Sequence, residues 1–236
     1  MTNWKELERQ FTSRLALSRR PVAVTFLDAA PAGIPKFSGT EPAGCSFWRL
    51  AAGGRTFYTV PADHFNCAVG AYTHNVQLPP ERIQETETML GMMFNLGYAR
   101  PEEIPGIPRL AKEPAAVVFA PLADAPVPPS VVLFACKSSA AMLLNEASIR
   151  AGASSTLPLL GRPSCMALPA ALAQGTVSTL ACIGNRVYTG VGADEMYVVV
   201  PGVKLEAVSD ALGIITTANA TLEEFARGRQ ASLSTV

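Results

Sequence analysis

The chain runs one passage twice. From Cys45 it reads Cys45-Ser-Phe-Trp-Arg-Leu-Ala51, then Gly54, Thr59 and Cys67-Ala-Val-Gly70. From Cys165 it reads Cys165-Met-Ala-Leu-Pro-Ala-Ala171, then Gly175, Thr179 and Cys182-Ile-Gly184. Each passage is a cysteine, a short alanine-bearing helical stretch, a glycine stop, a β-rich run, a second cysteine and a glycine. Glycine ends helices because it accepts left-handed backbone, and Thr, Val and Tyr favour strands. A buried strand precedes each passage, and a proline with an amphipathic helix follows each (Pro79-Pro80 and Pro201). The pattern predicts one compact domain over 1–236, α/β or α+β, of mixed sheet and helices. Two related halves, 21–113 and 114–215, would face each other across a pseudo-twofold axis, followed by a C-terminal helix at 221–232. Chance similarity in a chain rich in Ala, Gly and Pro is the alternative.

Local signals fill in the elements. Asn3 with Glu6 makes a capping box for a first helix carrying Trp4, Leu7, Phe11 and Leu15 at helical spacing. Pro21–Leu27, Ala115–Leu122, Ser130–Ala135 and Met196–Val200 are apolar runs of strand length. Pro79-Pro80 opens a helix to about Asn95 with Ile83, Met89, Leu90 and Met93 inward; Pro is favoured in a first turn. Ser138 or Ser139 caps a helix ending at Gly152. Leu205, Val208 and Leu212 mark a further helix, and Thr221-x-x-Glu224 opens a separate last one.

Composition excludes some functions. Charged residues are only 16% of the chain and apolar ones 49%, so a large core and a subunit interface can both be covered. Lys and Arg total 19, matched by 19 Asp and Glu, with no basic run; nucleic acid is not an expected partner. The start is charged and amphipathic rather than a secretory signal, and 114–136 is broken by prolines and Asp124, so no membrane span is expected. A cytoplasmic homo-oligomer, most simply a homodimer, is the expectation, with thiols reduced or acting as ligands.

Four thiolates suit an iron–sulfur cluster or zinc. The signature knuckle C-x2-C is absent: 21 residues separate Cys45 from Cys67 and 16 separate Cys165 from Cys182. The bland alternative is four small buried hydrophobes. Cys136 closes an apolar strand and is left out. The chain has two histidines, His64 three residues before Cys67 and His74 seven after it. Each could tune a thiol, ligate a metal or transfer protons, or could simply bond backbone in a loop. The expected arrangement has the loop 63–74 lining the main pocket, opposite Trp48 and Arg186, with Arg186 fixing a small anionic ligand. Trp48 could equally be core. No nucleotide-binding, zinc-protease or serine-hydrolase motif is present, and no reaction is assigned.

The motifs Cys45 with Phe47-Trp48, Asp63-His64…Cys67…Gly70, Gly161…Cys165, Cys182…Gly184-x-Arg186 and Asp194-Glu195-Met196…Pro201 resemble the bacterial and archaeal family known as domain of unknown function 169. The resemblance covers most of the chain and implies one intracellular domain in which the four cysteine positions recur, with Cys136 outside the pattern. It implies no activity. Asn185 stands where the pattern leads one to expect Asp or Ser, so no polar role is carried over to it.

The sequence thus leads to a cysteine-liganded metal or iron–sulfur protein, with Cys45, Cys67, Cys165 and Cys182 as metal ligands and Trp48, His64, His74 and Arg186 around the bound group. The alternatives are a metal-free thiol-dependent enzyme or small-molecule binder using Cys67 near His64, and an accessory oligomer whose cysteines only pack.

Overall fold

A computed structural model describes residues 2–154 and 158–233. In chain order the elements are α1 (Trp4–Leu15), β1 (Val22–Leu27), α2 (Ser46–Ala52), β2 (Phe57–Thr59), α3 (Ala68–Thr73), α4 (Pro80–Asn95), β3 (Ala116–Pro121), β4 (Val131–Lys137), α5 (Ser138–Arg150), β5 (Leu159–Leu160), α6 (Ala167–Gln174), β6 (Val177–Thr179), α7 (Ile183–Thr189), β7 (Glu195–Pro201) and α8 (Leu205–Leu233). Short 3-10 turns at Pro61–His64 and Ser164–Met166 lead into α3 and α6. The result is a single α/β domain.

The sheet order β2-β3-β1-β4-β7-β6-β5 reads the same from both sides of its centre, apart from β5 at one edge. β1 and β4 pair antiparallel in the middle. β3 returns against β1, and β7 against β4. The short β2 then lies on β3 with Thr59 opposite Val117, and the short β6 lies on β7 with Thr179 opposite Tyr197. Among the named strands of the described residues only β5 and β6 pair parallel, so the sheet is mixed. By pairing, β3 groups with β1 and β2, so the sheet divides after Pro121 rather than at residue 113.

Alternation along the strands builds a three-layer molecule. Ala23, Val132, Phe134, Val198 and Val200 face α1, α5 and α8. Val22, Val24, Phe119, Leu133 and Val199 face the other way, onto Phe47, Trp48 and Ala51 of α2 and Ala167, Leu168 and Ala171 of α6. The helices that follow Cys45 and Cys165 therefore cover the same face of the sheet. Cys136 packs in the first layer, with burial pushing its thiol up to about 12, as expected of a core residue.

Local chemistry accounts for the ends. The Glu6 amide donates to the Asn3 side chain at 3.1 Å and caps the first helix, while the Glu6 carboxylate bonds Arg9 and Gln10 instead of completing the expected capping box. Gly175, with φ at +91°, ends α6 where any Cβ would stand 2.0 Å from the Ala153 carbonyl oxygen.

Two elements differ from expectation. α4 fully buries none of its side chains: Ile83 is 45% exposed, and Met89, Leu90 and Met93 are only half-buried although α3 packs against the helix. The helices expected at 205 and 221 are one helix, α8: nothing between Leu212 and Thr221 breaks the backbone ladder, and Gly213 and Asn219 are absorbed within it. Among the described residues, no helix is long and apolar enough to cross a membrane.

Candidate functional site

The four repeated cysteines all stand where a helical segment begins. Cys45, Cys67 and Cys182 are the residues immediately before α2, α3 and α7, and Cys165 lies in the 3-10 turn that runs into α6. In each half the sheet delivers a strand end, the chain turns over it, and the cysteine opens the next helix.

The halves meet crosswise. α2, which starts at Cys45, packs on α7, which starts at Cys182; α3, which starts at Cys67, packs on the turn holding Cys165. Each half thus sets the helix or turn that holds its first cysteine against the helix opened by the other half's second cysteine. The Cys165 thiol points at the Val69 carbonyl, with sulfur and oxygen 3.9 Å apart. Ser164 ties the second half together: its hydroxyl accepts from the Cys182 amide at 2.7 Å and donates to the Leu180 carbonyl at 3.0 Å.

The thiols feel one another electrostatically. Burial first, and negative charge on Cys67 and Cys182 after it, push Cys45 up to about 12. Burial raises Cys165 well above the usual thiol range, with Cys67, Cys182 and Cys45 adding in the same direction. Two side chains oppose this: Asn185 favours the ionised Cys45, and Thr73 favours the ionised Cys165. The Gly70 amide also donates to the Cys67 sulfur at 3.3 Å. This is the cap of α3, and the surroundings are tight: a Cβ on Gly44 would stand 3.8 Å from the Gly70 Cα, and one on Gly70 would meet the Cys67 sulfur at 3.1 Å. Among the described residues, no group of three or more His, Cys, Asp and Glu side chains is drawn together tightly enough to hold a metal ion as it stands.

The elements that carry these cysteines also carry buried polar atoms without hydrogen-bond partners: Trp48 Nε1, His64 Nδ1, both ring nitrogens of His74, and Asn185 Nδ2. Such orphans are rare because each forfeits its hydration without replacement. Trp48 is one turn along α2 from Cys45. His64 Nδ1 lies 3.8 Å from where a Cβ on Gly44 would stand, directly behind Cys45. Asn185 is one turn into α7 from Cys182, fully buried, and its hydrogen-bonding environment includes the Thr189 hydroxyl. Thr189 in turn accepts from the Tyr197 hydroxyl at 3.2 Å.

Several sequence expectations are corrected. Residues 63–74 are not an exposed loop but a 3-10 turn and a helix, and both histidines are 1% exposed. His64 Nε2 bonds the Thr59 hydroxyl at 2.8 Å, and its ring packs edge-on against Phe47. Burial lowers His64 to about 3 and His74 to about 4, so both are neutral near pH 7. Trp48 is core: the cavity beside it holds about 20 Å³, room for one water and not a ligand. Arg186 is on the exposed face of α7. A cavity of about 530 Å³ lies elsewhere, between β1 and α6, lined by none of the cysteines, Trp48, the histidines or Arg186. Asn185 does have a polar role, through Cys45.

Ser164, Thr73 and Gly44 were not singled out from the sequence. Ser164 adjoins Cys165 and Gly44 adjoins Cys45, a proximity that could have marked them. Thr73 carries no such signal, because it reaches Cys165 from the opposite half.

A symmetric strand order and four helix-opening cysteines whose ionisations influence one another define a single-domain α/β protein with a cysteine-centred candidate site. The chain belongs to the family DUF169, whose model, described as Uncharacterised ArCR, matches residues 10–211. All four cysteines lie within that span. No curated protein and no solved structure matches the chain.

Proposed function

We propose that Cys45, Cys67, Cys165 and Cys182 together ligate one thiophilic metal centre, an iron–sulfur cluster rather than a single zinc ion. The observation that carries this reading is the combination of thiols that oppose one another's ionisation with unpartnered Trp48, Asn185, His64 and His74 nitrogens on the elements that carry them. Thiolates and sulfides are hydrogen-bond acceptors, and N–H groups aimed at cluster sulfurs stabilise the added charge. A bound anionic group would give those nitrogens the partners they lack.

The donor set fits soft metals. A single tetrahedral zinc holds its sulfurs at about 2.3 Å, which places them about 4 Å from one another. A cluster carries its own sulfides and so spans a wider ring of thiolates than a single ion does.

When bound, such a cluster supplies one-electron transfer or a structural cross-link. The chain's own residues do the rest. Cys45 and Cys165 are protonated when free, since burial holds their thiols far above pH 7, so loading releases protons. Asn185 and Thr73 favour the resulting thiolates. Arg186 sits on the exposed side of α7, one residue from Asn185, where it would meet a small anionic ligand approaching from solvent.

A metal-free thiol enzyme is the competing reading, with Cys67 as nucleophile. It needs a base or cation near Cys67, and His64 is buried, bonded to Thr59 and neutral. The cytoplasm, where thiols stay reduced, and a homodimer, for which the low charge fraction argues, complete the proposal.

Anaerobic purification followed by iron, acid-labile sulfide and zinc analysis tests it. Iron and sulfide in near-equal amounts support the cluster; zinc at one per chain replaces it with a mononuclear site. Absence of all three, with rapid selective labelling of Cys67 at neutral pH, favours thiol chemistry.

A further inference from the structure

The cavity of about 530 Å³ has the size of a small-molecule site. One wall is the end of β1, with Phe26, Leu27 and Asp28. The second is the segment 109–114, and the third is the outer turns of α6.

The walls are pinned. The Leu110 amide donates to the Thr73 carbonyl at 2.9 Å, and the Ala115 amide to the Leu27 carbonyl at 2.8 Å. Asn75, in left-handed backbone with φ at 59°, donates its side-chain amide to the Ala111 carbonyl at 3.3 Å. Three hydrogen bonds thus hold the segment against the sheet and the end of α3. A cleft formed this way needs little ordering when a ligand enters.

Its lining is apolar with charge at one end. Phe26, Leu110 and Leu172 offer hydrocarbon surface, and Leu172 is 45% exposed although it is a leucine. Arg109 is held in place: its guanidinium lies 4.4 Å over the Tyr72 ring and donates to the Asn75 side-chain oxygen. Both partners are neutral, and among the described residues no carboxylate pairs with Arg109. Most of the five donors of its fork remain available. Lys112 pairs with Asp28 at 2.7 Å, but both are about three-quarters exposed, so the pair is weak and exchangeable. Two cations against one carboxylate leave the cleft at net +1, which matches a monoanion. A planar carboxylate also matches the guanidinium fork.

We propose that this cleft binds a small amphiphilic carboxylate, its apolar body lying on Phe26, Leu110 and Leu172 and its carboxylate held by Arg109, with Lys112 turning from Asp28 to assist. The site is separate from the cysteines, although α3 and α6 serve both. It does not depend on what the thiols hold.

Calorimetric titration of the full chain, as purified, with decanoate and with phenylbutyrate tests this, with 1-decanol as the uncharged comparison. The expected result is saturable binding of at least one carboxylate at one site per chain. Arg109→Gln should weaken it roughly tenfold or more through loss of a charge-assisted contact. Leu172→Glu, on an exposed helix position that tolerates the change, should weaken it by a similar factor, and 1-decanol should bind at least about tenfold more weakly. If neither carboxylate binds, if 1-decanol binds as tightly, or if Leu172→Glu binds like the wild type, the proposal is overturned. Arg109→Gln that folds, by circular dichroism, and still binds like the wild type also overturns it. Leu172→Glu decides the matter if Arg109→Gln does not fold.

Discussion

His64 and His74 stand ring against ring, centroids 5.3 Å apart and planes at 85°, both sealed from solvent. In the unfolded chain each takes up a proton below about pH 6.5. In the folded protein neither does so until about pH 3 for His64 and about pH 4 for His74. The unfolded state therefore binds more protons across that window, and folding stability, full above pH 6.5, falls as pH falls. Each histidine contributes a slope of about 1.4 kcal/mol per pH unit, so the pair approaches about 2.7. Urea unfolding of metal-free protein at pH 7, 6 and 5 should show this loss, and His74→Phe should remove about half the slope. A stability that is flat between pH 7 and 5 would contradict the burial of both rings.

Cysteine substitutions should separate ligands from packing. Cys165→Ser and Cys182→Ser should each abolish iron and sulfide content, whereas Cys136→Ala should retain both and cost about 1 kcal/mol of stability. Asn185→Ala, which removes the side chain favouring ionised Cys45, should weaken metal retention roughly ten- to a hundredfold under chelator challenge. Equal metal content in wild type and Cys165→Ser would sink the shared-site reading.

Gly70→Ala probes the site without disturbing the fold. The new methyl would meet the Cys67 sulfur at 3.1 Å and displace it, yet alanine suits a helix better than glycine by about 1 kcal/mol. Melting temperature should stay within a few degrees of wild type while cluster content or Cys67 labelling changes. A variant normal in both would show that Cys67 is free to move.

Gly175→Ala is the structural counterpart. A Cβ there would collide with the Ala153 carbonyl oxygen in a left-handed backbone, so a loss of about 3 kcal/mol or more is expected. The midpoint of chemical denaturation reads it, and a loss below about 1 kcal/mol would mean that the turn after α6 relaxes freely.

Much of the architecture is written locally. Asn3 caps α1, the apolar runs at 22–27, 116–121 and 131–137 are strands, and glycines stop the helices after Cys45 and Cys165. These follow from propensity, capping and alternation, which act over a few residues. The four cysteines could be singled out for the same reason, because repetition in sequence needs no knowledge of neighbours. Which thiols would stand together could not. The packing of α2, opened by Cys45, on α7, opened by Cys182, and of α3 on the turn that holds Cys165 is a consequence of strand order, with β1 and β4 adjacent at the centre of the sheet and the helices of both halves laid on one face. Burial was equally out of reach. His64 and His74 read as loop residues until Phe26 and Phe47 cover them, and α4 reads as turning Ile83, Met89, Leu90 and Met93 inward although it fully buries none of its side chains. Spacing along the chain determines which side chains share an element and a face. Whether that face meets protein or water depends on contacts between residues far apart in the chain, and only the folded sheet brings those together.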